Sequence, residues 1–236
     1  MDQEEVADLF RRYDLVSVPV EDAAGRLVGR ITVDDIVDVL DEEADEDFLM
    51  MAGSIEEEVL SDFKESVKAR FPWLLITWFG MILTSVVIAK FLNSYEKLVY
   101  FFPFLPLILG MGGNVGSQSA TIVVRGIATG KLDAKKVWGV ALKEMKVGLA
   151  LGLIYGSLLG GFALLLKQSP GTIALIMGLS LAIQLSFATT SGVLLPIMFH
   201  RLKADPALAT APFITTIMDL VGATVYFSLA ILIAGG

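Results

Sequence analysis

Five apolar runs, at 72–92, 98–124, 138–166, 172–199 and 211–234, decide what this 236-residue chain can become. Each exceeds the roughly 20 residues a helix needs to cross a bilayer. Hydrocarbon offers backbone N–H and C=O groups no water, so each span must satisfy its own hydrogen bonds. The runs are read as five transmembrane helices, and a mean hydropathy of +0.70 agrees with a multi-spanning protein that has a modest soluble portion.

Two features do not belong in plain lipid-facing helices. The second run contains GMGGNVGSQS, Gly110 to Ser119. A glycine-rich, amide-bearing stretch at this depth predicts a break in the span that faces protein or a wet cavity. The last run contains Asp219, with no Lys or Arg in the same span. An ionisable residue inside a membrane helix marks a functional site by default. Asp219 lies eight residues beyond Ala211, so roughly 12 Å into the span at 1.5 Å per residue. Thr215, Gly222 and Tyr226 share its helical face. Together the two features predict a cation path.

Charge divides the chain. Residues 1–71 hold 21 Asp/Glu against 7 Lys/Arg, and residues 72–236 hold 5 against 11. The acidic soluble part argues against nucleic acid as a partner, since that needs basic patches. The chain has no cysteine, which excludes disulfides and thiolate metal sites. Its single histidine, His200, excludes a zinc enzyme built on paired histidines.

Within the acidic part, the apolar spacing of 4–15 predicts a helix, 16–20 and 28–32 read as short strands around a turn at Gly25, and 33–44 returns to helix with Val33, Ile36, Val37 and Leu40 as its stripe. Leu15-x-Ser17-Val18-Pro19-Val20-x-Asp22 and Gly25-Arg26-Leu27-Val28-Gly29-x-Ile31-Thr32-x-Asp34-Asp35-Ile36 resemble a cystathionine-β-synthase (CBS) domain. Such domains come in pairs. Here the partner and the first strand of this copy are missing, so residues 1–49 are expected to be a partial domain, and Met1 the start of a truncated chain or of a short natural form. Twelve acids and no Lys or Arg lie between Asp34 and Glu58, and hard divalent cations suit such oxygen-rich clusters. Ser54-Ile-Glu-Glu57 is a capping box, which predicts an amphipathic connecting helix over 50–71.

In the membrane part, 72–236, Gly148, Gly152, Gly156 and Gly160 recur at every fourth position. That ridge predicts close helix packing. Gln184, Ser186, Thr189, Thr190 and Ser191 read mostly as interhelical hydrogen-bonding groups. Basic residues cluster in the 125–137 loop (Arg125, Lys131, Lys135, Lys136), in the 200–210 loop (Arg201, Lys203) and before the first span. The opposite loops hold mainly Lys97 and Lys167. The positive-inside rule then predicts a cytosolic N-terminus and a C-terminus outside, in the cell's inner (plasma) membrane.

Pro106 through Thr121, Lys143-Glu144-Met145 and Asp205-Pro206-Ala207 leading to Asp219, joined to an acidic CBS-type segment, resemble the MgtE family of magnesium channels. The resemblance implies an all-α membrane fold: five spans with a broken second span, preceded by a partial α/β CBS domain and a connecting, plug-like helix. It implies a homodimer with spans two and five of both copies lining one Mg2+ pore. Asp219 would be the selectivity carboxylate, Thr215 and Gly222 would present backbone groups, and Gly113, Asn114, Ser117 and Gln118 would form the facing wall. Asp205 is a candidate ligand at the mouth. The family's gating, carried over, would have Mg2+ bridge acidic faces, with Asp35, Asp38, Glu43, Glu46 and Asp47 as candidates; an incomplete pair would weaken the block. The rival readings are a coupled secondary transporter of Mn2+ or Co2+ and a non-transporting membrane sensor. An enzyme finds no support in the motifs.

Overall fold

The computed structural model describes residues 1–52, 62–129, 131–132, 137–165, 171–209 and 211–234. It divides into two compact units, Met1–Met50 and Met51–Gly236.

The first unit runs α1 (Gln3–Tyr13), β1 (Ser17–Glu21), β2 (Leu27–Thr32) and α2 (Val33–Met51), the order the sequence predicts. The strands pair antiparallel, Ser17 opposite Thr32 and Val20 opposite Gly29. Their connection is pinned by Asp22, whose carboxylate accepts the Ala24 and Arg26 backbone N–H groups at 2.9 and 3.0 Å and the Arg26 Nε–H at 2.9 Å. Gly25 takes a φ of +75°, which suits glycine. Ala7, Phe10 and Ile36 form the small core, with Val6, Leu15, Val18 and Ile31 against it. The predicted stripe on α2 is only partly used: Ile36 is buried, while Val33, Val37 and Leu40 remain exposed.

The second unit holds α3 (Phe63–Ser94), α4 (Leu105–Ala128), α5 (Val137–Leu165), α6 (Gly171–Arg201) and α7 (Ala211–Ala234). All five are long and apolar enough to cross a membrane. Where the sequence predicts a connecting helix followed by a span, α3 is one continuous helix that passes through Pro72. The capping box at Ser54–Glu57, and Lys135, Lys136 and Lys167 of the loop charges, lie outside the described residues.

The second span is divided, but not where the glycines predict. A 3-10 segment, Glu96–Phe104, precedes α4, which then runs unbroken through Gly110–Ser119. Pro103 lies in the 3-10 segment and Pro106 in the first turn of α4, where a missing N–H costs nothing. The glycines stay helical because each backbone group keeps its partner within the helix, and they are used for contact instead. A Cβ on Gly116 would lie 2.6 Å from Ile214 Cγ2, and one on Gly192 of α6 would lie 2.7 Å from Ser119 Cβ.

Helix α6 is the centre of this unit and packs against α4, α5 and α7. The ridge of α5 meets it as the spacing predicts: a Cβ on Gly156 would lie 2.7 Å from the Gly178 carbonyl, and one on Gly160 3.1 Å from the Ala174 carbonyl. The main core gathers Leu105, Ile108, Ile176, Met177, Leu181, Leu185 and Phe227. Outward-facing residues such as Leu74, Trp78, Phe79, Trp138, Leu153 and Leu158 are apolar and exposed, the surface a bilayer wets.

A candidate cation path along α4 and α7

The wall of the candidate site is built by α4 and α7, which pack against each other. Gly113 is buried, and a Cβ there would lie 3.0 Å from Thr215 Cγ2, so the absence of a side chain on α4 lets α7 approach at Thr215. Thr215 Oγ1 donates to the Pro212 carbonyl at 3.2 Å. One turn further along, Asp219 is half-buried.

On α4, Asn114, Gln118 and Thr121 recur at helical spacing and all three are exposed. They form a polar stripe on the outer surface of an otherwise apolar unit. Ser117 turns inward, and its hydroxyl is buried with no hydrogen-bond partner among the described residues. Ser119 is also buried and donates to Glu144 Oε2 on α5 at 3.0 Å.

The remaining candidates fall elsewhere. Gly222 is buried against Gln184 of α6. Tyr226, predicted to share the Asp219 face, is fully buried and donates to the Phe101 carbonyl at 3.0 Å, so that face turns into the core past Gly222. Asp205 Oδ1 accepts the Ala207 N–H at 2.7 Å and caps the short turn Pro206–Ala209.

In the first unit, Asp35 also has a local duty. Its Oδ2 accepts the Thr32 backbone N–H at 2.8 Å and the Thr32 hydroxyl at 2.7 Å. This is the back-reaching half of a capping box at the start of α2, and these bonds hold the carboxyl below its usual range. Asp38 and Glu46 are exposed; the Asp47 side chain lies outside what the structure describes. Among the described residues no three Asp, Glu or His side chains converge as a metal-holding group.

Glu43 is different. Burial, then the neighbouring Glu4 carboxylate, then Glu46 and Asp2 push its carboxyl up to about 7. A carboxylate raised in the folded state binds more protons there than in the unfolded chain. Its stabilising contribution is therefore full below the unfolded value near 4.5 and is lost as pH rises through about 7. The Tm of the first unit's unfolding is expected to fall between pH 5 and 7.5, and Glu43→Gln to flatten that slope. An unchanged slope in the variant would place the proton elsewhere.

Sequence reasoning passed over Gln184 as one of several polar residues on α6. Its side chain is fully buried. Nε2 donates to the Met218 carbonyl, next to Asp219, at 3.4 Å, and Oε1 meets no donor among the described residues. No local spacing signals this, because Gly112, Met218 and Gly222 come together around it only through the packing of three helices.

The MgtE family model, described as a divalent cation transporter, matches residues 105–229, more than half of the chain. The chain belongs to the MgtE family. The match spans α4 through most of α7, which includes the whole α4–α7 wall. The CBS domain model matches residues 1–42, the segment whose strand motifs resemble such a domain. Among similar proteins, the magnesium transporter MgtE of Thermus thermophilus is 40% identical over 238 residues, covering 97% of this chain and 51% of that protein. The MgtE magnesium transporter of Bacillus subtilis is 36% identical over 231 residues, with the same coverage. That of Enterococcus faecalis is 33% identical over 229 residues, covering 97% and 50%. The chain thus spans about half the length of the curated relatives it matches. As a member of this family with five spans, it is a membrane protein.

Proposed function

We propose that this chain forms a Mg2+ channel whose pore lies between two copies, with α4 and α7 of each lining the path. The observation that carries the reading is the polar stripe Asn114, Gln118 and Thr121, exposed on α4, together with the half-buried Asp219 on α7, the helix packed against it. Uncapped amides and a carboxylate against lipid tails are costly, so such groups face protein or water. A second copy applied to this surface encloses the stripe and brings two Asp219 carboxylates to one axis. Mg2+ keeps several of its waters and asks for octahedral order; two carboxylates and a ring of amides hold such a hydrated ion through its water shell. That the relatives are named magnesium transporters supports Mg2+ as the cargo.

The first unit is then the cytosolic sensor. Burial first, and then the Glu4, Glu46 and Asp2 carboxylates, raise Glu43; a divalent cation relieves the repulsive part, so Mg2+ compacts the acidic face and favours the closed pore. Ions enter the cytosol down the membrane potential across the plasma membrane.

Proteoliposomes holding the full chain test this. Mg2+ uptake is expected to follow an imposed inside-negative potential and to persist when the pH gradient is collapsed. Flux that requires a proton gradient would make the protein a coupled transporter, and absence of flux at any Mg2+ concentration would make it a sensor.

A further inference from the structure

We propose that Gln184 is a positioning residue for selectivity: from α6 it fixes the turn of α7 that presents Asp219, seated in a slot that Gly112 and Gly222 leave open. This rests on the pore reading given above and assigns one further residue to it.

Three observations converge. Gln184 is a fully buried amide in a membrane unit, a costly placement unless its groups are used. Its Nε2 reaches the carbonyl of Met218, itself fully buried on the inward side of α7. Asp219 follows directly, on the side that is half-open. The bond therefore anchors the back of the turn whose front carries the carboxylate. The slot is made to measure from both flanks: a Cβ on Gly112 of α4 or on Gly222 of α7 would lie 2.8 Å from Gln184 Cδ. One side chain thus sets the spacing of both helices assigned to the pore wall.

The bond is long, at 3.4 Å, and Oε1 is left without a donor among the described residues. On stability alone this is a poor use of a buried amide, because an orphaned acceptor bears its full desolvation cost. An apolar side chain of the same reach serves packing at least as well. The amide therefore contributes something other than stability, and the group it touches says what: the orientation of the Met218–Asp219 turn.

The test separates the two roles. Gln184→Met keeps the length and removes both the donor and the orphaned acceptor. Its Tm in detergent is expected to equal or exceed that of wild type. The Mg2+ to K+ permeability ratio, read from bi-ionic reversal potentials across planar bilayers, is expected to fall about fivefold, the factor that one hydrogen bond's net contribution carries. A reversal potential does not depend on how many channels are folded. An unchanged ratio overturns the proposal, and a lowered Tm with an unchanged ratio assigns Gln184 to packing alone. A wild-type chain that passes no Mg2+ overturns the pore reading and the selectivity role with it. The slot is judged separately: Gly222→Ala is expected to lower Tm, and Gln184→Ala added to it to restore part of the loss. Strictly additive losses would refute the contact itself.

Discussion

Asp219→Asn is expected to abolish the preference of this protein for divalent ions while leaving the five-helix unit folded. The substitution keeps the shape and the oxygen and removes only the charge. Asp219 is the sole acidic residue in its span, and its half-buried position puts it partly out of reach of bulk water. In the dimeric pore proposed above, two such charges act on one ion. Removing one partner of a close, partly desolvated charge pair costs about 2–5 kcal/mol, so the Mg2+ to K+ permeability ratio should fall about a hundredfold. Total cation conductance can survive this, because Asn114, Gln118 and Thr121 still offer polar groups along α4. Flux assays and reversal potentials together check it. A variant that still selects Mg2+ would remove Asp219 from the path and leave its placement in a membrane helix unexplained.

The same contrast between charge and backbone explains what the sequence could reveal. Long apolar runs are additive signals, and the five spans fall within a few residues of where hydropathy places them, α3 excepted. There the expected boundary between connecting helix (50–71) and span (from 72) is absent: α3 runs through Pro72 as one helix. The glycine ridge on α5 was legible for a related reason: a four-residue repeat has one geometric meaning in a helix. The glycines of α4 misled because glycine has two uses, to break a helix and to let another helix approach. Lipid decides between them. A break would leave amide groups without partners, whereas an intact helix brings Gly113 against Thr215 and Gly112 against Gln184.

Asp35 and Asp205 show the opposite limit. Each stands in an acidic or polar context that suggests ion binding, and each is engaged by backbone N–H groups at its own helix or turn start. Residue type alone does not separate a cap from a ligand; the residue three positions before Asp35, Thr32, was the available signal. Gln184 was out of reach for another reason. Its meaning depends on Met218, Gly112 and Gly222, distant in sequence and on two other helices, and nothing local distinguishes it from Ser186 or Thr190, which bond back within α6.

Gly152→Ala should destabilise the membrane unit, and Gly161→Ala on the same helix should not. A Cβ on Gly152 would meet the Ala182 backbone and stand 2.9 Å from the Leu181 carbonyl, whereas one on Gly161 has nothing within 4 Å. Backbone atoms cannot swing aside as a flexible side chain does, so α5 and α6 must separate. Overpacking of this kind costs about 1–3 kcal/mol. Gly161→Ala instead gains helix propensity, up to about 1 kcal/mol. Thermal unfolding in detergent should therefore move Tm in opposite directions for one added methyl group. Equal shifts would mean that α5 does not rest on α6 as described. The consequence reaches the proposed pore wall, because α6 carries Gln184 on to α4 and α7. A helix pushed away from α5 presses on the slot between Gly112 and Gly222, so Gly152→Ala should also lower the Mg2+ to K+ ratio, though no atom of Gly152 belongs to the α4–α7 wall. Under the proposed pore, selectivity then depends on close packing around α6 as well as on the charge of Asp219.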